Sequence, residues 1–181
     1  VGSDSTLFHA INRDKEGIAL DFKAPSDLAR LHALAARADV VIQNFRPGVA
    51  ARLGLDDAAL RRRNPALVCG SITGYGDAGP WMDRPGQDLL AQARSGLMWL
   101  SGDAQQGPVP VGLAVADMLA GHTLVQGILA ALVRRFRTGA GATVETSLLE
   151  VLVDLQFEVL TTHLNDGGRM PHRGEFRSAH A

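Results

Sequence analysis

Asp39-Val40-Val41-Ile42-Gln43-Asn44-Phe45-Arg46-Pro47-Gly48 opens the stretch that decides the fold. It continues through Asn64-Pro65 and Ser71-Ile72-Thr73-Gly74-Tyr75-Gly76 to Gly79-Pro80. It closes on Pro85-Gly86-Gln87-Asp88-Leu89-Leu90-Ala91-Gln92-Ala93 and Gly102. Two short apolar runs each end in a polar, glycine-bearing loop. In an α/β sheet, ligands are held beyond the carboxyl ends of the strands, so the pattern speaks about function as well as fold.

Working outward, Gly17 to Phe22 alternates and predicts a strand. Pro25 and Ser26 open a helix whose Leu28, Leu31, Leu34 and Ala35 recur at helical spacing up to Ala38. Asp39 to Asn44 reads as a buried strand, followed by a helix to Leu53 that Gly54 ends. Asp56 or Asp57 caps the next helix, which runs to Arg63. Leu67 to Ile72 is another buried strand, and 73–86 is too polar and broken for a regular element. Helices are expected over 88–95, 114–137 and 148–164, with a loop over 102–110 and a strand over 142–147. The alternation argues for an α/β fold with a parallel sheet and helices on both faces. Residues 1–164 form the domain, and 165–181 read as a linker or tail.

The chain has 181 residues, 46% of them hydrophobic, which is enough for one domain with a sizeable core. Its formal net charge of −1 supplies no global field for nucleic acid or an anionic membrane. The single cysteine, Cys69, excludes an intrachain disulfide framework and a cysteine-rich zinc site. It reads as a small buried hydrophobe. Residues 1–14 carry charge and lack the apolar core of a signal peptide. Val111 to Val133 is apolar but holds Asp117, His122 and Gln126, which are costly in lipid, so it reads as a buried helix. The expected location is the cytoplasm. With no initiator methionine, the chain is expected to be a fragment.

No Gly-x-Gly-x-x-Gly fingerprint opens a helix, and Asp77 follows Gly76, which disfavours a nicotinamide cofactor. The six histidines form no metal-ligand spacing, and neither Ser71 nor Ser147 lies in a nucleophile elbow. Arg13, Lys15, Arg46 and Arg52 stand close to the loops, as phosphate partners or as a solvated basic face. Asp88, Asp103 and Asp117 stand near loop–helix junctions. Helix capping accounts for such residues, and a carboxylate in a partly desolvated loop also serves as nucleophile or base.

These residues resemble the class III CoA-transferases, a family that includes formyl-CoA and carnitine CoA-transferases and the α-methylacyl-CoA racemases. The resemblance runs through Asn12-Arg13-Asp14-Lys15, 17–23, 38–48, Asn64-Pro65, 71–76, Ala116-Asp117, 127–132, Arg135 and 137–141 in consistent order. It implies part of the large, Rossmann-like domain of that fold. It also implies a missing strand–helix unit before Val1, a smaller domain after Ala181 and an interlocked homodimer.

The resemblance implies that Leu20, Asn44, Phe45, Arg52, Thr73 and Tyr75 contact CoA, with acyl-CoA and a carboxylic acid as substrates and no permanently bound cofactor. The transferases use an aspartate that attacks the thioester and forms a mixed anhydride. That position falls on Gln105, in the loop Gly102-Asp103-Ala104-Gln105-Gln106-Gly107-Pro108-Val109-Pro110. A neutral amide forms no anhydride, so Asp103 is the candidate in its place. The racemases pair a histidine with an aspartate, and these positions hold Gln87 and Asp117, which leaves racemase chemistry without its histidine. Three functions follow: CoA transfer between carboxylic acids, an inactive acyl-CoA-binding paralogue or subunit, and a generic nucleotide-binding domain.

Without the expected missing strand, a sheet edge is open and apolar faces are uncovered. Expressed alone, the chain is expected to be poorly soluble or to self-associate. A clean monomer in sedimentation velocity would contradict this.

Overall fold

A computed structural model describes residues 5–102, 105 and 107–166. Three strands form a parallel sheet in the order β1-β2-β3: β1 (Val40–Gln43), β2 (Val68–Thr73) and β3 (Ala142–Ser147). Val40 pairs with Val68, Val68 with Ala142, and Thr73 with Ser147. Successive residues of β2 point to opposite faces, as the pleat requires. Val68 enters a cluster with Leu124, Ile128 and Ala131, whereas Cys69 enters one with Ala35, Leu55, Leu60 and Leu67.

The first face is covered by α7 (Val115–Thr138) and the second by α2 (Pro25–Arg37) and α4 (Asp57–Arg63). The expected parallel sheet with helices on both faces is therefore what the chain adopts. The apolar spacing of α2 places Leu31 and Ala35 on the sheet side. Asp56 caps α4 by accepting from the Ala59 N–H at 2.9 Å. A short α3 (Val49–Arg52) precedes it after Gly48, whose φ of 78° suits glycine.

Between β2 and α7 lie α5 (Asp88–Arg94) and α6 (Leu97–Leu100). After β3 come α8 (Leu148–Leu155) and α9 (Phe157–Asn165). Ala91, Ala116, Ala120, Leu148, Val151 and Leu152 join α5, α7 and α8 in a third cluster.

Four local details differ from the sequence expectation. Gly17 to Phe22 is not a strand. It joins no ladder among the described residues, and Ile18 and Phe22 are exposed. Alternation alone makes no strand without a neighbour to satisfy its backbone. An unexpected helix, α1 (Thr6–Asn12), is capped by Ser5, and α6 is a further short helix. The helix over 148–164 is broken at Gln156. That buried side chain donates to the carbonyls of Leu152 and Ser95, tying the bend to the end of α5.

Helix α7 is long and apolar enough to cross a membrane by length and composition. Here Ala116, Ala120, Leu124, Ile128 and Ala131 form its buried stripe. The expectation of a buried helix holds for that face only, because Val125, Leu129, Val133 and Phe136 are exposed.

Gly141 begins the turn into β3 and donates to the Pro65 carbonyl at 2.9 Å. A Cβ at this position would overlap the Leu67 carbonyl oxygen. Backbone cannot move aside as a flexible side chain can. Gly141→Ala in the intact protein is therefore expected to cost about 1–3 kcal/mol or more in urea unfolding. An unchanged midpoint would show that the turn relaxes freely.

Candidate functional site

The carboxyl ends of the three strands open on one side of the sheet. Beyond β1, Gln43 Oε1 accepts from the Phe45 N–H at 2.7 Å and bends the chain into 44–47. Beyond β2, Thr73 Oγ1 accepts from the Gly76 N–H at 2.8 Å. Gly74 and Gly86 then abut so closely that a Cβ on Gly74 would meet Gly86 Cα at 2.5 Å. Both ends of the 74–86 loop are thus brought together over the sheet, and neither tolerates a side chain.

The loop is also fixed at its middle. Tyr75 and Trp81 pack edge to face at 5.8 Å. The Arg94 guanidinium lies over both rings, 4.7 and 5.0 Å from their centroids. Such cation–π contacts hold a loop without needing a hydrogen bond.

A cleft of about 750 Å³ lies between these loops and the start of α7. Asn44, Phe45, Thr73, Gln87, Asp88 and Asp117 are on its walls, with Arg46, Arg84 and the 110–114 segment. A second cleft of about 360 Å³ shares Phe45, Arg46, Pro47, Thr73 and Met82, and extends over Cys69, Ser71 and Glu145. The two lie side by side at the strand ends, a trough of two lobes with Phe45 and Arg46 on their common wall.

Gln92 organises the wall near α7. It is 1% exposed, and its amide serves both as donor and as acceptor. Its Nε2 donates to Asp88 Oδ1 at 2.5 Å and to the Leu113 carbonyl at 3.2 Å. Its Oε1 accepts from the Val111 N–H at 2.9 Å. Asp88 Oδ2 in turn accepts from the Asp117 N–H at 3.0 Å. Ala114 has no capping side chain, so Asp88 supplies the missing acceptor at the N-terminus of α7.

The electrostatics follow from this layout. Burial, then the Asp88 charge, raise the Asp117 carboxyl above its ordinary value. Burial raises Glu145 too, with Asp77 and Asp57 adding to it. Cys69 is pushed up to about 12 by burial, a hydrogen bond with Asp57 and nearby carboxylates. It stays a neutral thiol at physiological pH and is no nucleophile. The described residues hold no group of three or more metal-ligating side chains.

Of the residues singled out from sequence, Asn44, Phe45, Thr73 and Asp117 come together on the large cleft. Tyr75 is 7% exposed, and its ring faces Trp81 and Arg94. Arg52 is exposed on α3, with its guanidinium beside Gly48 of the second cleft. Leu20 sits half-buried on the unpaired segment before α2, apart from both cleft walls. Arg13 and Lys15 are exposed on the same segment, whereas Arg46 lies where the clefts meet. Gln105 is exposed in a turn, and Asp103 lies outside the described residues. Sequence reading missed Gln92 and Arg84. Gln92 did carry a signal: a polar residue inside Leu-Leu-Ala-Gln-Ala, four positions after Asp88.

The model of CoA-transferase family III matches residues 1–181. The chain belongs to CoA-transferase family III. Among similar family members, the succinate–glutarate CoA-transferase of Agrobacterium fabrum is 42% identical over 147 residues, which cover 81% of this chain and 37% of that protein. The mouse succinyl-CoA:glutarate CoA-transferase is 36% identical, over 91% of this chain and 38% of its own length. A solved CaiB/BaiF family protein from Brucella suis superposes with a TM-score of 0.87 at 37% identity, covering 92% of this chain and 44% of that one. The chain thus spans roughly two fifths of the length of these family III proteins.

The Asp117 shift has a definite sign. The folded state holds this proton more tightly than the unfolded chain does. Its contribution to stability is most favourable below the ordinary value of 3.8 and falls as pH rises through the folded value. The carboxylate is still reached by water, so screening keeps the effect small. Asp117→Asn should remove the fall while keeping the backbone bond to Asp88. Urea midpoints of variant and parent should diverge in the variant's favour on going from acid to neutral pH. Parallel profiles would contradict the assignment.

Proposed function

We propose that the protein carrying this chain moves CoA between an acyl-CoA and a free carboxylic acid. The observation that carries this reading is the trough at the strand ends. It joins Asn44, Phe45 and Thr73 to the segment leading out of the Gly102–Pro110 loop, in a chain of the CoA-transferase family. Phe45 offers an apolar wall to the pantetheine arm, and Arg46 and Arg52 offer guanidinium forks to phosphates. CoA is a substrate here and not a resident cofactor.

The chemistry requires a carboxylate nucleophile. Its oxygen attacks the thioester carbonyl, the C–S bond breaks, and CoA leaves as the thiolate. An aspartyl mixed anhydride remains. The acceptor carboxylate then displaces the donor acid from the anhydride. Attack of the thiolate on the acceptor's acyl carbon forms the new thioester and restores the aspartate. Asp103 is our candidate for this residue. Related transferases named for succinate, glutarate and oxalate make small dicarboxylic acids the first acceptors to try.

Gln105 favours a second reading, in which the protein binds acyl-CoA without turning it over. Both readings expect an interlocked homodimer in the cytoplasm, with residues 1–164 as part of the CoA-binding domain.

Hydroxylamine separates the two. Incubated with the intact protein and an acyl-CoA, it should release an acyl hydroxamate from the anhydride. Asp103→Asn should then abolish both the trapped product and CoA exchange. Trapping that survives this substitution removes Asp103 from the mechanism. CoA binding with no hydroxamate supports the inactive binder.

A further inference from the structure

We propose that Arg84 is a specificity residue that receives the second carboxylate of a dicarboxylic acid in the large cleft. The inference rests on the transfer reading above and assigns its acceptor class to one side chain. It begins with the distribution of charge along the trough. Arg46 lines both clefts, and Arg52 lies beside Gly48 on the wall of the smaller one. Arg84 lines only the large cleft. It is thus the cation confined to the lobe that also holds Asp88, Asp117 and the 110–114 segment.

Reaction chemistry orients a ligand in this trough. The Gly102–Pro110 loop enters the large cleft through Pro110, so the thioester belongs in that lobe. The phosphates of CoA sit at the opposite end of its pantetheine arm. They belong toward Arg46 and Arg52. A cation left beside the thioester has the acyl chain and the acceptor as its natural partners.

Three observations make Arg84 suited to that role. Its side chain forms no hydrogen bond or ion pair with any described residue, so its donors are free for a ligand. Its backbone is held, because its N–H donates to the Trp81 carbonyl at 2.9 Å. Gly86, two residues on, is locked against Gly74, and Trp81 is locked under Arg94. The guanidinium therefore projects from a fixed loop, which lowers the ordering cost of binding.

The nearby acids do not compete strongly. Asp88 gives one oxygen to Gln92 and the other to the Asp117 N–H. Asp117 shares its surroundings with the Asp88 carboxylate. A planar guanidinium binds carboxylate through two parallel bonds, which a monocarboxylic acid spent on the reaction cannot offer.

The test uses the intact protein, one fixed acyl-CoA donor, and acceptors matched in length: glutarate against valerate, succinate against butyrate. In Arg84→Gln, the ratio of kcat/KM for the diacid to that for the monoacid should fall about 10- to 100-fold, mostly through KM. Arg84→Lys should recover part of it, since the charge returns without the fork. An unchanged ratio overturns the proposal. So does a loss common to all acceptors with a raised donor KM, which would place Arg84 on the phosphates. Absence of exchange by the parent protein with every acid would sink the transfer reading itself, and this assignment with it.

Discussion

The structure depends on how closely α7 approaches the sheet. Two glycines set that distance. A Cβ on Gly70 of β2 would stand 3.1 Å from Ile128 Cδ1 and 3.3 Å from Leu124 Cδ1. A Cβ on Gly127 would stand 2.5 Å from Val144 Cγ1 of β3. With hydrogen at both positions, Ile128 and Leu124 pack directly on the backbone of β2, and Val144 packs directly on the backbone of α7. The apolar stripe of α7 then fills the remaining space against Val68 and Ile72. At the far end, Arg135 donates to Asp39 Oδ1 at 2.8 Å and fixes the helix at the start of β1. This pair is partly exposed, so it sets alignment more than stability.

That packing has a consequence at the other end of the helix. Once α7 is set along the sheet, its first turn must lie beside the carboxyl ends of β2 and β3. Asp117 is carried there by the core and not by any contact of its own side chain. The Gln92–Asp88 network completes the arrangement by joining α5 to the first residues of α7. A buried amide with donors and acceptor all satisfied is rigid, because losing any partner leaves a buried polar group unpaired. Apolar packing thus determines where the cleft is, and a few hydrogen bonds determine its shape.

This division explains what could be read from sequence. Val68–Thr73 is legible because burial of a central strand produces a short apolar run, ended by Gly74. Val40–Gln43 carries a similar run, although it is an edge strand with Ile42 exposed and not the buried strand expected. Asp56 announces α4 because capping is local. Gly17 to Phe22 misleads for the opposite reason: a strand exists only through a partner, and alternation says nothing of one. Gln156 breaks a helix through a bond to Ser95, 61 positions away, which no window of sequence contains. The site divides likewise. Asn44 and Phe45 directly follow β1 and Thr73 ends β2, so the strand-end loops that hold them are legible. Arg84 gains its place only when Gly74 meets Gly86, a contact between distant backbones. The remaining pieces, the CoA contacts and the Gln105 position, came from family resemblance and not from periodicity.

The same division bears on what a neutral residue at Gln105 means. The loop that contains it is tied at its exit on two sides. The Val109 N–H donates to the Met98 carbonyl at 3.0 Å, and the Val111 N–H donates to Gln92 Oε1. Neither bond involves the side chain at position 105. Both bonds are therefore available whether aspartate or glutamine stands there. Moving the carboxylate back to Asp103 is a different matter. Two residues of extended chain span about 6–7 Å, well beyond hydrogen-bond reach. The proposed binding therefore draws on the buried framework, whereas the proposed catalysis draws on which residue of the Gly102–Pro110 loop supplies the carboxylate.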